Sequence, residues 1–376
     1  MSPAREMYGV RGAVSRTGVG HLWAARLGCG EMGSREPQEP SAAELNARGI
    51  ELAENGEYAA AERWFRRAAE TGSPDAWLNL GRLLSILGRF ADALGAYGEA
   101  GRLGLAAGYL LSGDLLHAEL DDVAAAKKAY RKAIDMGDVD AWVNLGVTLE
   151  SEGDLAEARE AYESAVRLGD RAANWQLAEL LVRMDADPGA VEPTYREAIE
   201  GGEDRALLGL GLLLHGRGAF AEAEPLLRSA VERDVESAHA ALGVLLEARR
   251  LRGEAETTYR AGMEFGDGAA ALNLGNLLTG DERFGEAETA YRRAIELGEV
   301  DAYNNLGALH LALDRDDEAE EALRNGAAAG DALAARNYAA LLLEAERLDE
   351  AEVALEVAIR GGDAAAVQML ADLREA

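Results

Sequence analysis

"GDVDAWVNLG", residues Gly137 to Gly146, returns as "GEVDAYNNLG" from Gly298, as "GSPDAWLNLG" from Gly72 and, more loosely, as "GDGAAALNLG" from Gly266. Self-similarity of this kind points to a fold that grows by adding copies, so the period comes before any other reading. An aromatic residue or leucine marks it. Phe65, Tyr97, Tyr130, Tyr162, Tyr195, Leu227, Tyr259, Tyr291, Leu323 and Leu355 follow one another at spacings of 32 or 33. Sixteen residues before most markers stands a glycine: Gly49, Gly81, Gly146, Gly211, Gly243, Gly275 and Gly307, with Ala339 in the last copy. Gly113 and Ala178 take that place where the spacing is 33.

Small residues flank each marker. Alanine stands four before it in most copies (Ala61, Ala93, Ala126, Ala158, Ala223, Ala255, Ala287, Ala319, Ala351), and alanine or glycine three after it. Such places let two helices approach closely while the large marker fills the remaining gap, as a helical hairpin requires. A further glycine seven residues after the marker, Gly137 among them, falls where a helix C-terminus favours left-handed backbone. Ser41 and Glu44 form a capping-box pattern at the head of the series.

The W/Y-x-x-L-G then A-x-x-x-Y-x-x-A pattern resembles the tetratricopeptide repeat, in ten consecutive copies over residues 41–363. The family unit is slightly longer, and its proline after the second helix is replaced here by "GD" or "GE". "WFRRAAETG", Trp64 to Gly72, also resembles the Sel1-like relative. The resemblance implies an all-α fold: a right-handed superhelical solenoid of helix-turn-helix units, first helices lining a concave groove and second helices outside. "AAAVQMLADLREA", from Ala364 to the end at 376, reads as one amphipathic helix capping the stack. Pro193 and Pro225, each two residues before its marker, remove a helix bond or delay a helix start, and so predict a kink near the fifth and sixth units.

Advancing ~100° per residue along the fourth first helix puts Trp142, Leu145, Gly146 and Leu149 on the side facing the partner helix. Asp140, Val143, Asn144, Val147 and Ser151 fall on a stripe that the family geometry exposes to the groove. The residue two before the glycine, or before its alanine substitute, runs Asn79, Leu111, Asn144, Gln176, Gly209, Ala241, Asn273, Asn305, Asn337, so that six of nine are carboxamides. A carboxamide offers donors and an acceptor, and a row of them pairs with the backbone of an extended peptide whatever its sequence. In the resembled family, asparagine ladders line peptide grooves. The competing reading makes these asparagines part of the architecture, bonding neighbouring helices, although mid-helix asparagine is poorer than alanine by roughly 0.5 kcal/mol. The expected peptide-binding segment centres on Asn273, Asn305 and Asn337, with Asn304 and Asn276 beside them. Arg82, Arg183, Arg205 and Arg336 share the stripe, either as holders of ligand carboxylates or as partners of neighbouring acids. The lysines stand only at 127, 128 and 132, on one second helix, so the family's clamp for a terminal carboxylate has no counterpart here.

A formal charge of −30 argues against nucleic acid and anionic membrane surfaces as partners and leaves neutral or basic ones. It also disfavours self-assembly through the stack ends, so a monomer is expected. One cysteine, Cys29, excludes an intrachain disulfide and a multi-thiolate zinc site. No apolar run approaches the ~20 residues of a membrane span, and arginines interrupt any signal-like core, which together suggest a cytoplasmic protein. Residues 1–40 lack periodicity and read as a flexible tail, with Met32 as an alternative start.

No chemistry emerges. Sixty-eight acidic residues guarantee chance carboxylate pairs, which nominate no general acid or base. His117 and His215 face the groove from units too far apart to form a dyad, His239 and His310 read as packing residues, and His21 lies in the tail. "GVRGAVSRTGVG" and "GLGLLLHG" follow no strand that would make them phosphate loops. The reading is a non-catalytic scaffold without cofactor or metal that binds a protein or peptide in its groove. The alternative is a substrate-recruiting or regulatory subunit of a separately encoded enzyme, such as a glycosyltransferase or a signalling complex.

Overall fold

A computed structural model describes residues 39–375. The expectations placed on the segment ahead of Glu39, with Cys29, His21 and Met32 among them, lie outside the described residues. Among the described residues there are 21 α-helices and no strand. The chain divides into two compact units, Met1–Gly202 and Glu203–Ala376. The first holds α1 (Ala42–Glu54), α2 (Tyr58–Glu70), α3 (Pro74–Ile86), α4 (Phe90–Arg102), α5 (Ala106–Ala118), α6 (Val123–Asp135), α7 (Asp140–Glu152), α8 (Leu155–Arg167), α9 (Ala173–Arg183) and α10 (Pro188–Glu200). The second holds α11 (Arg205–Gly216), α12 (Phe220–Glu232), α13 (Ala238–Ala248), α14 (Arg252–Phe265), α15 (Gly268–Gly280), α16 (Phe284–Glu296), α17 (Asp301–Ala312), α18 (Asp316–Ala329), α19 (Ala332–Glu344), α20 (Leu348–Arg360) and α21 (Ala364–Glu375).

Each odd-numbered helix up to α19 pairs with the helix that follows it, giving five hairpins per unit, and α21 packs against α20. The recurring glycine and marker make the pair. A Cβ placed on Gly146 would lie 2.5 Å from Tyr162 Cε1, and one on Gly49 would lie 2.5 Å from Phe65 Cε1. Each of these rings therefore lies so close to the first helix that only glycine leaves room. Ala158 and Ala165, one turn either side of Tyr162, are wholly buried, as are their counterparts in most hairpins. Consecutive hairpins join at Gly137 and its equivalents, where φ is +89° and any side chain is strained. Asp138 Oδ1 then accepts from the Ala141 amide at 3.1 Å at the start of α7, and Ser41 and Glu44 form the expected capping box.

The structure decides between the two alternatives for the prolines and adds one feature that the sequence reading lacked. Pro193 and Pro225 lie inside α10 and α12, so neither delays a helix start, although each forgoes one backbone bond. On the outer layer, an arginine immediately preceding one second helix reaches back to a glutamate on the second helix of the hairpin before it. The pairs are Arg89–Glu62 at 2.9 Å, Arg283–Glu256 at 2.8 Å, Arg315–Glu288 at 3.1 Å and Arg347–Glu320 at 2.6 Å. These partly exposed bridges contribute about 0.2–1 kcal/mol each.

Candidate peptide-binding face

Successive first helices touch one another within each unit, from α1 to α7 and from α11 to α19, whereas second helices meet their like closely only at α14–α16 and α18–α20. The first helices are therefore the more tightly gathered layer, and their outward stripe is the candidate binding face.

That gathering corrects the expected exposure. Asn144 is 2% exposed, and Val143 and Val147 are buried with it, leaving only Asp140 and Ser151 of the stripe at the surface. The cause is α5, which packs against α7 on the side that helical geometry left open. Asn144 Nδ2 donates to Asp114 Oδ1 at 2.7 Å, and the Tyr130 hydroxyl donates to the same oxygen at 3.0 Å. Asp114 Oδ2 and Asn144 Oδ1 are both buried without a hydrogen-bond partner. Burial outweighs the two donated bonds and pushes the Asp114 carboxyl up to about 7. Asn79, also buried, donates to Asn46 Oδ1 on α1 at 3.1 Å. Gln176 is half-buried on α9 with its Oε1 enclosed and unbonded.

In the second unit the carboxamides join into one chain. Asn337 Nδ2 donates to Asn304 Oδ1 at 2.7 Å, Asn304 Nδ2 to Asn305 Oδ1 at 3.3 Å, and Asn305 Nδ2 to Asn276 Oδ1 at 2.9 Å. The Tyr291 hydroxyl also donates to Asn276 Oδ1, at 2.9 Å. The chain spans α19, α17 and α15. Asn276 is exposed, Asn304, Asn305 and Asn337 are half-buried, and Asn273 is half-buried beside them on α15. Each amide nitrogen carries a second hydrogen, so donors remain along this face after the internal bonds are made. Leu212, Val244 and Leu311 are exposed on the first helices of the same unit and add apolar surface.

The arginines are mostly committed. Arg183 pairs with Glu150, which also accepts from the Tyr162 hydroxyl at 2.8 Å. Arg336 lies 3.2 Å from Asp363. Arg82 is half-buried on α3 near the Tyr97 hydroxyl, and Arg205 is exposed in the first turn of α11. For Arg183 and Arg336 the balancing of neighbouring acids is what the structure shows.

Sequence reasoning missed the acceptors of the marker tyrosines. Besides Asp114 and Glu150, Glu179 takes the Tyr195 hydroxyl and Glu247 the Tyr259 hydroxyl, each at 2.7 Å. All four stand one or four residues after the repeat glycine or its alanine substitute, on one helical face. That regularity was present in the sequence.

Among the described residues no group of histidine, cysteine and acidic side chains is placed to hold a metal ion, and no helix is long and apolar enough to cross a membrane. The tetratricopeptide repeat family model matches residues 46–108, 115–176, 187–238 and 272–332. No curated protein matches the chain. Among solved structures, c5321, a protective antigen of uropathogenic Escherichia coli displaying an SLR fold, is similar at 25% identity with a TM-score of 0.54, over 89% of this chain and 79% of its own. Yeast Tom70 shares the fold at 14% identity with a TM-score of 0.53, over 89% of this chain and 95% of its own. Regular 32- and 33-residue hairpins, a glycine beneath most marker rings and a family match over most of the chain lead to one conclusion: this protein belongs to the tetratricopeptide repeat family, with Sel1-like character.

Proposed function

We propose that this chain is a non-catalytic scaffold that binds an extended peptide segment of a partner protein along the first helices of its second unit. The supporting observation is the carboxamide chain Asn337–Asn304–Asn305–Asn276, whose members hold one another in place while keeping hydrogens in reserve. Carboxamides fixed in this way recognise peptide backbone at low entropic cost, and the exposed Leu212, Val244 and Leu311 receive apolar side chains. A neutral or basic peptide suits a protein of charge −30.

The test is a display selection of short random peptides on the full chain, followed by affinity measurement on the Asn273→Ala, Asn305→Ala, Asn337→Ala triple variant. Affinity is expected to fall about tenfold or more with the helical circular dichroism retained, and backbone N-methylation of the peptide is expected to weaken binding similarly. Equal affinity for the triple variant would overturn the role of these asparagines.

A further inference from the structure

In nine of the ten hairpins, a leucine stands three residues after the repeat glycine or its alanine substitute: Leu52, Leu84, Leu116, Leu149, Leu181, Leu214, Leu246, Leu278 and Leu342. The ninth hairpin has His310 there, 2% exposed, with Nδ1 buried and without a hydrogen-bond partner. An imidazole in a leucine position whose Nδ1 finds no bond inside the protein is a poor packing choice, since a buried unsatisfied polar atom forfeits its hydration without replacement. Beside it lies a cavity of about 300 Å³ between α16, α17 and α18, lined by His310, Tyr303, Glu318, Glu321 and Arg292 among others.

The charges around this cavity do not cancel. Glu288 is shared by Arg292 at 2.8 Å and Arg315 at 3.1 Å, and Arg293 holds Glu296 at 2.9 Å, so with Glu318 and Glu321 four carboxylates face three guanidinium groups. Glu318 and Glu321, one turn apart on α18, have no cationic side chain within ion-pair distance among the described residues. Burial lowers the His310 pKa and keeps the ring neutral, so one of its nitrogens is an acceptor. Two carboxylates outside any ion pair and a neutral imidazole, with the Tyr303 side chain in the same lining, together attract a cation bearing several N–H donors.

We infer that the cavity beside His310 binds an ammonium or guanidinium head group, with Glu318 and Glu321 supplying the charge and His310 an acceptor at its base. The site belongs to the layer containing the second helices α16 and α18 and does not depend on the carboxamide face. A lysine or arginine side chain of a partner and a free alkylamine share the chemistry it selects.

The experiment labels histidine with ¹³C and ¹⁵N in the full chain and follows the ring signals during titration with n-butylguanidinium, n-butylammonium and tetramethylammonium chlorides at matched ionic strength. A saturable movement of the His310 signals is expected with the two N–H cations and not with tetramethylammonium, which carries the charge but no donor. The stronger of the two arms distinguishes a planar guanidinium from a point-like ammonium. Glu318→Gln with Glu321→Gln is expected to weaken binding about tenfold or more, and His310→Leu, which restores the residue of the other hairpins, to reduce it with the fold intact. No movement, equal movement with all three salts, or undiminished binding by the double variant overturns the inference.

Discussion

Asn144 on α7 donates to the buried carboxylate of Asp114 on α5, 2.7 Å away, and so ties two consecutive hairpins by a bond that neither hairpin could make alone. The asparagine that recurs through the repeats is thereby an architectural residue at this position. Replacing it by alanine removes a charge-assisted bond and leaves Asp114 to the Tyr130 hydroxyl. Asn144→Ala is expected to lower unfolding free energy by about 1.5–3 kcal/mol, read from urea denaturation at neutral pH. A loss no larger than that of an exposed surface substitution would show the bond to be immaterial.

The Asp114 carboxyl makes stability depend on pH in an unusual direction. Its pKa in the folded chain, about 7 against 3.8 as the ordinary value, means that the folded state holds a proton the unfolded state has lost between those values. Stability from this group is complete below the unfolded value, declines as pH rises from about 4 to about 7, and is level above. Asp114→Asn abolishes that decline. Subtracting the variant's stability curve from the parent's should isolate a fall on the order of a few kcal/mol across this window. A flat difference would refute the assignment.

Gly146 lies beneath the Tyr162 ring, and the β-carbon of an alanine would sit 2.5 Å from Cε1 and 2.7 Å from Cδ1. Overpacking of this kind costs about 1–3 kcal/mol, against which alanine's helix propensity returns about 1 kcal/mol. Displacing the ring also strains the Tyr162 to Glu150 hydrogen bond. Gly146→Ala is therefore expected to destabilise by about 1–2 kcal/mol, despite being favourable in an isolated helix. A gain in thermal midpoint would contradict the close approach.

Turns within the hairpins offer the opposite case. Gly56, Gly88, Gly153 and Gly218 have positive φ there, whereas Arg250, Glu282 and Glu346 adopt φ of +63°, +59° and +59° at the equivalent place. Left-handed backbone costs an ordinary residue about 1–2 kcal/mol, and glycine loses about 0.5–1 kcal/mol in extra unfolded entropy. Arg250→Gly and Glu346→Gly should each stabilise by about 0.5 kcal/mol, additively because they are far apart. Thermal unfolding of the singles and the double checks both the sign and the additivity.

The period, the hairpin, the glycine under most markers and the glycine between most hairpins were all legible in the sequence. Each depends on contacts within one 32- or 33-residue copy, and ten copies repeat the same information. Helical periodicity likewise placed Leu145, Gly146 and Leu149 against the partner helix, where they are buried. What a single copy does not contain is the distance to the next one. How closely α5 approaches α7 decides that Asn144 is enclosed, and how α15, α17 and α19 approach one another decides that Asn276, Asn304, Asn305 and Asn337 join into a chain. The same stacking joins Arg283 to Glu256 of the preceding hairpin and leaves a cavity beside His310. Local periodicity determined the repeating unit, because its interactions are short-range in the chain. The tertiary structure alone decided which polar residues are consumed between hairpins and which keep hydrogen-bonding capacity to spare, because burial at an interface belongs to both surfaces at once.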